Sequence, residues 1–282
     1  MLEKTDSTIN HYFKPVKEFV RMVVKGHSNA LVLLSDGGLG KSYTVLQTLK
    51  EEGLKEGEDY VFITTFATPL ELYNILYDYR EGKILVLDDL EGILTDRKSI
   101  SILKSALWSA NDKRMIHYHS TTSKLNAPSE FQFESRVILC MNDLVDNKIV
   151  NSLISRCMFF RFDISYHQKL DVMKAIAEKE GIAEEVVEFI RMNSSPATKN
   201  LNFRTLIHLW NAYRYEMNNG NTESWKTLGK ALLETNGTLS LVWELSKSNK
   251  RIEEQAKEFA VKTNKSRRTF FRLRKKIDLV TK

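Results

Sequence analysis

Between Val16 and Phe162 the chain alternates stretches of helical spacing with short, uninterrupted apolar runs. Val16, Phe19, Val20, Val23 and Val24 recur at intervals of three and four, which predicts an amphipathic helix. The run Ala30–Leu34 that follows has no polar interruption, as a strand buried on both faces requires. The residues Lys41–Glu51 suit a helix, "DYVFITT" (Asp59–Thr65) a second strand, and "PLELYNILYDY" a helix opened by Pro69. A third strand is expected at Lys83–Asp89 and a helix at Ser99–Asn111. The long stretch from Arg114 alternates like a hairpin before the apolar strand Val137–Met141, and a last strand fits Cys157–Phe162. Strands alternating with helices predict an α/β fold with a parallel sheet covered on both faces.

After Asp163 the strand signal stops. "HQKLDVMKAIAEKEG", "AEEVVEFIRMN", "FRTLIHLWNAYRYEMN", "WKTLGKALLET" and "LSLVWELSKS" all carry helical spacing, with turns at Gly181 and Ser194-Ser195-Pro196. The expected organisation is a core over residues 1–165, a helical region over 166–247 and a separate basic unit over 248–282.

Charge sharpens that last boundary. The chain of 282 residues carries a net charge of +6. Residues 262–282 hold nine Lys/Arg against the single acid Asp278, so this segment is +8 and the rest of the chain −2. A basic block of this kind points to an acidic polymer as partner. No apolar run approaches the length of a membrane span, and "MLEKTDSTINHYFK" lacks the apolar centre of a signal peptide, so a cytoplasmic protein with no membrane partner is expected. Cys140 and Cys157 lie inside apolar runs and read as core residues of a reduced compartment, although the sequence leaves a disulfide between them open.

The candidate chemistry sits just after the first strand. "SDGGLGKS", Ser35–Ser42, nearly spells the phosphate loop GxxxxGK[ST], with Ser35 in the first-glycine slot. A buried strand, a glycine turn and a helix N-terminus provide the right context, because backbone N–H groups and the helix dipole hold phosphate oxygens. The expected nucleotide contacts are Gly37, Gly38, Leu39, Gly40, Lys41, Ser42 and Tyr43, with Lys41 on the β/γ-phosphates of ATP and the Ser42 hydroxyl on Mg²⁺. "ILVLDDLEG" supplies a second, independent signal. An apolar strand ending in carboxylates delivers them to the sheet edge where ligands bind in open α/β folds. Asp88 is expected to hold Mg²⁺, and Asp89 to orient or activate the attacking water, with Glu91 a weaker alternative past the strand end.

At these residues the chain resembles the AAA+ family of P-loop ATPases, over roughly residues 16–215. The resemblance implies an αβα sandwich around a five-stranded parallel sheet, a helical lid and an oligomeric, ring-like working form. "VILCMND" matches the strand that ends in the family's sensor 1 residue, which puts Asn142 in that role. "NSLISRCMFFRF" looks like the corresponding segment of clamp-loader subunits, so Arg156 takes the place of the arginine finger. "LNFRTLIHLW" offers Arg204 as the sensor 2 arginine of the lid. The pair Asp88-Asp89, where most members have Asp-Glu, resembles helicase-loader and transposition-helper ATPases. The stretch Arg114–Phe133 resembles the pore hairpin of helicase-like members, placing Lys124, with His117 and His119 nearby, against nucleic acid.

The basic tail reads as helix, turn, helix. Ala256, Phe259 and Ala260 give the first helix an apolar stripe, Thr263-Asn264-Lys265 breaks it, and Ser266 is a good N-cap for the second. There Phe270, Leu273 and Ile277 share one face and Arg268, Arg272 and Lys275 the opposite one, next to Arg267. A basic outer face on the second helix of such a pair suits DNA. The expectation is an oligomeric, DNA-directed ATPase of replication, a helicase-like motor or a helicase loader, with a helicase or other replication protein as a further partner. Two alternatives remain: an ATP-switched DNA-binding initiator with slow hydrolysis, and a remodeller of protein partners.

Overall fold

The computed structural model describes residues 2–64, 68–89, 91–109, 113–119, 126–142, 148–199, 201–219, 224–235 and 237–281. Packing divides the chain into two units, residues 13–163 and residues 1–12 with 164–282.

The first unit is built on the expected sheet. Helix α1 (Leu2–Val24) leads to β1 (Ala30–Leu34), α2 (Lys41–Glu51), β2 (Tyr60–Ile63), α3 (Pro69–Asp78) and β3 (Ile84–Asp88). A 3₁₀ turn at Glu91–Thr95 precedes α4 (Arg97–Leu107), the short strands β4 (Met115–His117) and β5 (Glu130–Gln132), then β6 (Arg136–Met141), α5 (Lys148–Ile154) and β7 (Met158–Arg161). Five strands pair in the order β2-β3-β6-β1-β7, all parallel, while β4 and β5 form an antiparallel hairpin. The apolar runs explain the centre of this sheet: every residue of β1 is buried, as are Ile84–Leu87 of β3 and Val137–Met141 of β6.

Alternate strand residues face opposite sides. Val32, Leu34, Leu85, Leu87, Val137 and Leu139 pack with α3, α4, α5 and the hairpin in one core. On the other face Phe19 of α1 stacks on Phe160 of β7, and Lys17 and Arg21 of α1 pair with Glu51 of α2 and Glu52 just after it.

Several expectations shift at their edges. Helix α4 begins at Arg97, two residues earlier than expected, because the Asp96 carboxylate accepts from the Ser99 amide at 2.6 Å and caps it there. Its last helical residue is Leu107 rather than Asn111, and Asn111 lies outside the described residues. Helix α1 runs back through Pro15 to Leu2. Helix α5 had no counterpart in the sequence reading. Both cysteines are free thiols, Cys140 fully buried, so no disulfide joins them.

The second unit is helical: α6 (Tyr166–Glu180), α7 (Glu184–Asn193), α8 (Phe203–Asn219), α9 (Ser224–Leu232), α10 (Gly237–Lys247), α11 (Ile252–Thr263) and α12 (Arg267–Thr281). Residues 1–12, expected with the core, are grouped here, and the Tyr12 hydroxyl donates to Asp171 of α6 at 3.2 Å. Gly229 lets α9 approach its neighbours closely, since a Cβ there would stand 2.4 Å from Phe189 and 2.9 Å from Leu209. Helices α10, α11 and α12 share a core of Val242, Leu245, Ala256, Phe259, Phe270 and Ile277. A basic unit beginning at residue 248 therefore leaves out one of its packing partners, α10. The helical spacing of α10 was readable, but which neighbour buries its apolar stripe depends on contacts distant in sequence.

Candidate functional site

The site forms where the C-terminal ends of β1, β6 and β3 lie side by side. Leu34 pairs with Met141, and Asp88 with Cys140, so the loop after β1, Asn142 and the two acids emerge at one sheet edge. Strand β6 lies between β1 and β3, and the crevice outside such a crossover is where open α/β sheets bind ligands.

The loop itself has two left-handed glycines, Gly38 and Gly40, each at φ 77°. Ser35 does not need that freedom. Its φ is not positive, and its amide extends the sheet ladder by donating to the Met141 carbonyl at 3.1 Å. The missing first glycine is thus accommodated by one more residue of strand-like backbone. Gly40 caps α2 without any side-chain hydrogen bond, and the helix has no acid in its first turn. The positive end of its dipole, together with its free amides, is left for an anion. Leu39 is buried, Gly37 and Ser42 half-buried, and Tyr43 stands 70% exposed. At Gly37 a Cβ would lie 3.7 Å from Asn142 Oδ1, so the loop passes close to that carboxamide.

Five side chains meet at the loop: Lys41, Ser42, Asp88, Asp89 and Asn142. Lys41 is only 6% exposed, and its ammonium donates to Asn142 Oδ1 at 2.9 Å and to the Ser35 carbonyl at 3.5 Å. Asn142 Nδ2 in turn donates to Asp89 Oδ1 at 2.6 Å. Asp89 is one of two non-glycine residues at positive φ among the described residues, 55°, which turns the chain as it leaves β3. Aspartate tolerates this region better than most residues, and such strain clusters at functional sites. Burial pushes the Asp88 carboxyl above the usual range, opposed by a hydrogen bond from the Ser42 hydroxyl and helped by the neighbouring Asp89 charge.

Cys140 is the core residue that its apolar surroundings in the sequence predict. The structure adds that its thiol lies beneath the site, hydrogen-bonded with Ser42 and in the field of Asp88; burial pushes its pKa up. Only the pairing of β6 with β3 reveals this placement.

Of the remaining expected residues in the first unit, Arg156 makes its hydrogen bond away from these side chains. Arg156 is half-buried, and its guanidinium donates to the Ser152 carbonyl at the end of α5. Arg204 is exposed in the first turn of α8, in the second unit. Lys124 and the Glu91 side chain lie outside the described residues. His117 Nδ1 is 3.2 Å from Glu130 across the hairpin.

On α12, Arg268, Arg272 and Lys275 are exposed on the face away from Phe270 and Ile277. Arg267 differs from them, because it pairs with Glu253 of α11 and lies over the Phe271 ring. Asn264, at φ 54°, turns the chain between α11 and α12.

No protein-family profile matches the chain. A phage T4 protein described as an uncharacterized 36.7 kDa protein in the nrdC–mobD intergenic region is 20% identical over 233 residues, covering 73% of this chain and 70% of its own length. Among solved structures, a RuvB variant from Thermotoga maritima aligns with a TM-score of 0.53 at 11% identity, over 93% of this chain and 86% of that one. Domain III of the Thermotoga maritima replication initiation protein DnaA aligns with a TM-score of 0.50 at 18% identity, over 79% of this chain and 93% of its own. Cdc6p from Pyrobaculum aerophilum gives a TM-score of 0.50 at 14% identity, over 94% and 86%. The chain shares the fold of these proteins, the α/β sandwich that the AAA+ resemblance implies.

Proposed function

We propose that this chain is an AAA+ ATPase that couples ATP hydrolysis to work on DNA in replication, as a helicase-like motor or a helicase loader. The observation that carries the reading is the continuous link from Lys41 through Asn142 to Asp89, beside the Ser42–Asp88 hydrogen bond. A lysine of α2, a carboxamide after β6 and two acids at the end of β3 meet at a helix N-terminus with no side-chain cap.

The backbone amides of Gly38–Ser42 and the Lys41 ammonium bind the phosphates. The donor set also fits Mg²⁺: a hydroxyl and a carboxylate already in contact, and two adjacent carboxylates whose mutual repulsion a divalent cation relieves. When bound, Mg²⁺ held by Ser42 and Asp88 neutralises charge on the phosphates. Asp89 orients the attacking water and takes its proton. Asn142 holds Asp89 in place and senses what Lys41 holds, because one carboxamide touches both. Arg156 of one subunit completes the site of its neighbour, and Arg204 couples nucleotide to the lid, so the working form is a homo-oligomer. The cationic face of α12 supplies the contact with DNA.

The decisive experiment is the ATPase rate of the purified protein with no DNA, with single-stranded DNA and with duplex, at two salt concentrations. Mg²⁺-dependent turnover stimulated by DNA, more weakly at high salt, is expected. Slow turnover indifferent to DNA, with tight ATP-dependent duplex binding, would move the assignment to a switch-type initiator. Absence of any DNA binding would leave a protein remodeller.

A further inference from the structure

One cation of the second unit is built in a way that the ATPase reading does not use. Arg214 of α8 lies with its guanidinium 5.4 Å above the Trp210 ring, and it donates to Asn211 Oδ1 at 2.8 Å. Trp210 is itself stacked on Tyr213, at 5.6 Å and 18° between planes. Several other arginines, Arg21, Arg161, Arg191 and Arg267 among them, pair with a carboxylate. Arg214 is instead oriented by an amide and an indole, both neutral. Its side chain is held in place, and among the described residues no carboxylate pairs with it.

The rest of the exposed face agrees. His208, Asn211, Tyr215 and Asn218 recur at intervals of three and four and are all exposed, Tyr215 at 71%. The only carboxylate of α8, Glu216, is buried at 3% and accepts from Ser224, so none lies on this face. Asparagine is a weak helix former, and Asn211 and Asn218 occupy exposed positions where Glu, Lys or Ala would stabilise the helix more. The surface is thus an acid-free strip of a fixed arginine, amides, an imidazole and an exposed phenol.

We propose that this face of α8 binds single-stranded DNA, with Arg214 on a phosphate and the Tyr215 ring and the Arg214–Trp210 stack taking unpaired bases. Charge complementarity selects a polyanion, and an oriented guanidinium matches a phosphate's geometry. Stacking surfaces select a single strand, because bases in a duplex have no free face to offer. The surface is separate from α12, whose cationic helix face suits duplex, and it stands whether or not the chain hydrolyses ATP.

The test uses full-length protein, fluorescein-labelled oligo-dT, a labelled duplex and labelled oligo-U, with anisotropy read across a salt series. Arg214→Ala should weaken oligo-dT binding about fivefold or more and reduce the log–log salt slope by about 0.7, one phosphate contact on a single strand. Arg214→Lys should keep the slope and regain only part of the affinity, since a lysine carries the charge without the planar stack. Duplex affinity and DNA-free ATPase rate should stay as in wild type, and circular dichroism should show an unaltered fold. Unchanged oligo-dT affinity in Arg214→Ala would overturn the proposal, as would an equal loss on duplex. Tighter wild-type binding of oligo-U than oligo-dT would replace DNA by RNA. A change in assembly mass on sedimentation, with oligo-dT affinity intact, would make this face a contact between copies of the chain.

Discussion

The ammonium of Lys41 and the carboxamide of Asn142, 101 residues apart in the chain, meet at 2.9 Å. The same carboxamide reaches Asp89, so the group expected to grip phosphate and the group expected to direct water share one intermediary. Different losses follow from removing each. Lys41→Ala should abolish ATP binding, measured by equilibrium dialysis or a fluorescent analogue. Asp89→Asn should retain ATP while hydrolysis falls by about 10²-fold or more, the scale of a lost general base. Asn142→Ala should behave like Asp89→Asn, with binding changed only a few-fold. Loss of binding in the last two variants equal to that in Lys41→Ala would refute this division of roles.

Asp88 makes stability and function oppose one another. Burial raises its carboxyl above the usual range, so the folded chain holds that proton more tightly than the unfolded chain does. The group is harmless to folding at acid pH and costs stability as pH rises from the unfolded value through the raised folded one. Asp88→Asn should therefore have a higher thermal midpoint than wild type at neutral pH in metal-free buffer. The gap should close on acidification, and Mg²⁺-dependent hydrolysis should be lost. Coincident midpoints at neutral pH would contradict this assignment.

Arg156 is tied to the Ser152 carbonyl within its own chain, a favourable resting place for a cation at a helix C-terminus. If it serves the neighbour's site, Arg156→Ala and Lys41→Ala proteins should each be inactive, yet regain part of the activity on mixing. Arginine fingers supply about 10³-fold or more in rate, so rescue should be well above background. Mixed assemblies that form without any rescue would rule out action across the interface.

Gly229 tests the packing of the helical unit. Alanine is the better helix former by about 1 kcal/mol. Its Cβ, however, would stand 2.4 Å from Phe189 Cε1 and 2.9 Å from Leu209, and both partners belong to the packed interior. Overpacking of this kind costs about 1–3 kcal/mol, so Gly229→Ala should be net destabilising in urea denaturation. A gain in stability would mean that α9 moves away freely.

The C-terminal helices set where a truncation can be made. Ending the chain at Thr235 removes α10, α11 and α12 together and should leave the nucleotide site working, with duplex affinity lost and its salt dependence shallower. Ending at Lys247 leaves the Val242 and Leu245 side chains of α10 without Phe259 and Phe270, and this shorter deletion should aggregate more. Solubility measured by sedimentation and duplex binding measured by anisotropy separate the two. Equal duplex affinity in full-length protein and the Thr235 truncation would remove α12 from DNA recognition.

Local chemistry wrote much of this protein into its sequence. The uninterrupted apolar runs of β1, β3 and β6 pointed to strands buried on both faces, and the glycines and Lys41-Ser42 after β1 pointed to a turn at a helix start. Asp88 and Asp89 were legible at the sheet edge because they end an apolar strand, whereas Asn142 was singled out only through the AAA+ resemblance. The order β2-β3-β6-β1-β7 was not legible from spacing, because strand pairing is a contact between distant segments that share no local signal. That order alone brings Asn142 between Lys41 and Asp89, sets Cys140 beneath Asp88, and lets Ser35 replace a glycine by continuing the ladder to Met141. It was likewise packing, and not helical spacing, that joined α10 to α11 and α12 and laid Arg214 over Trp210. Periodicity states which face of an element is apolar; only the folded chain decides what covers it.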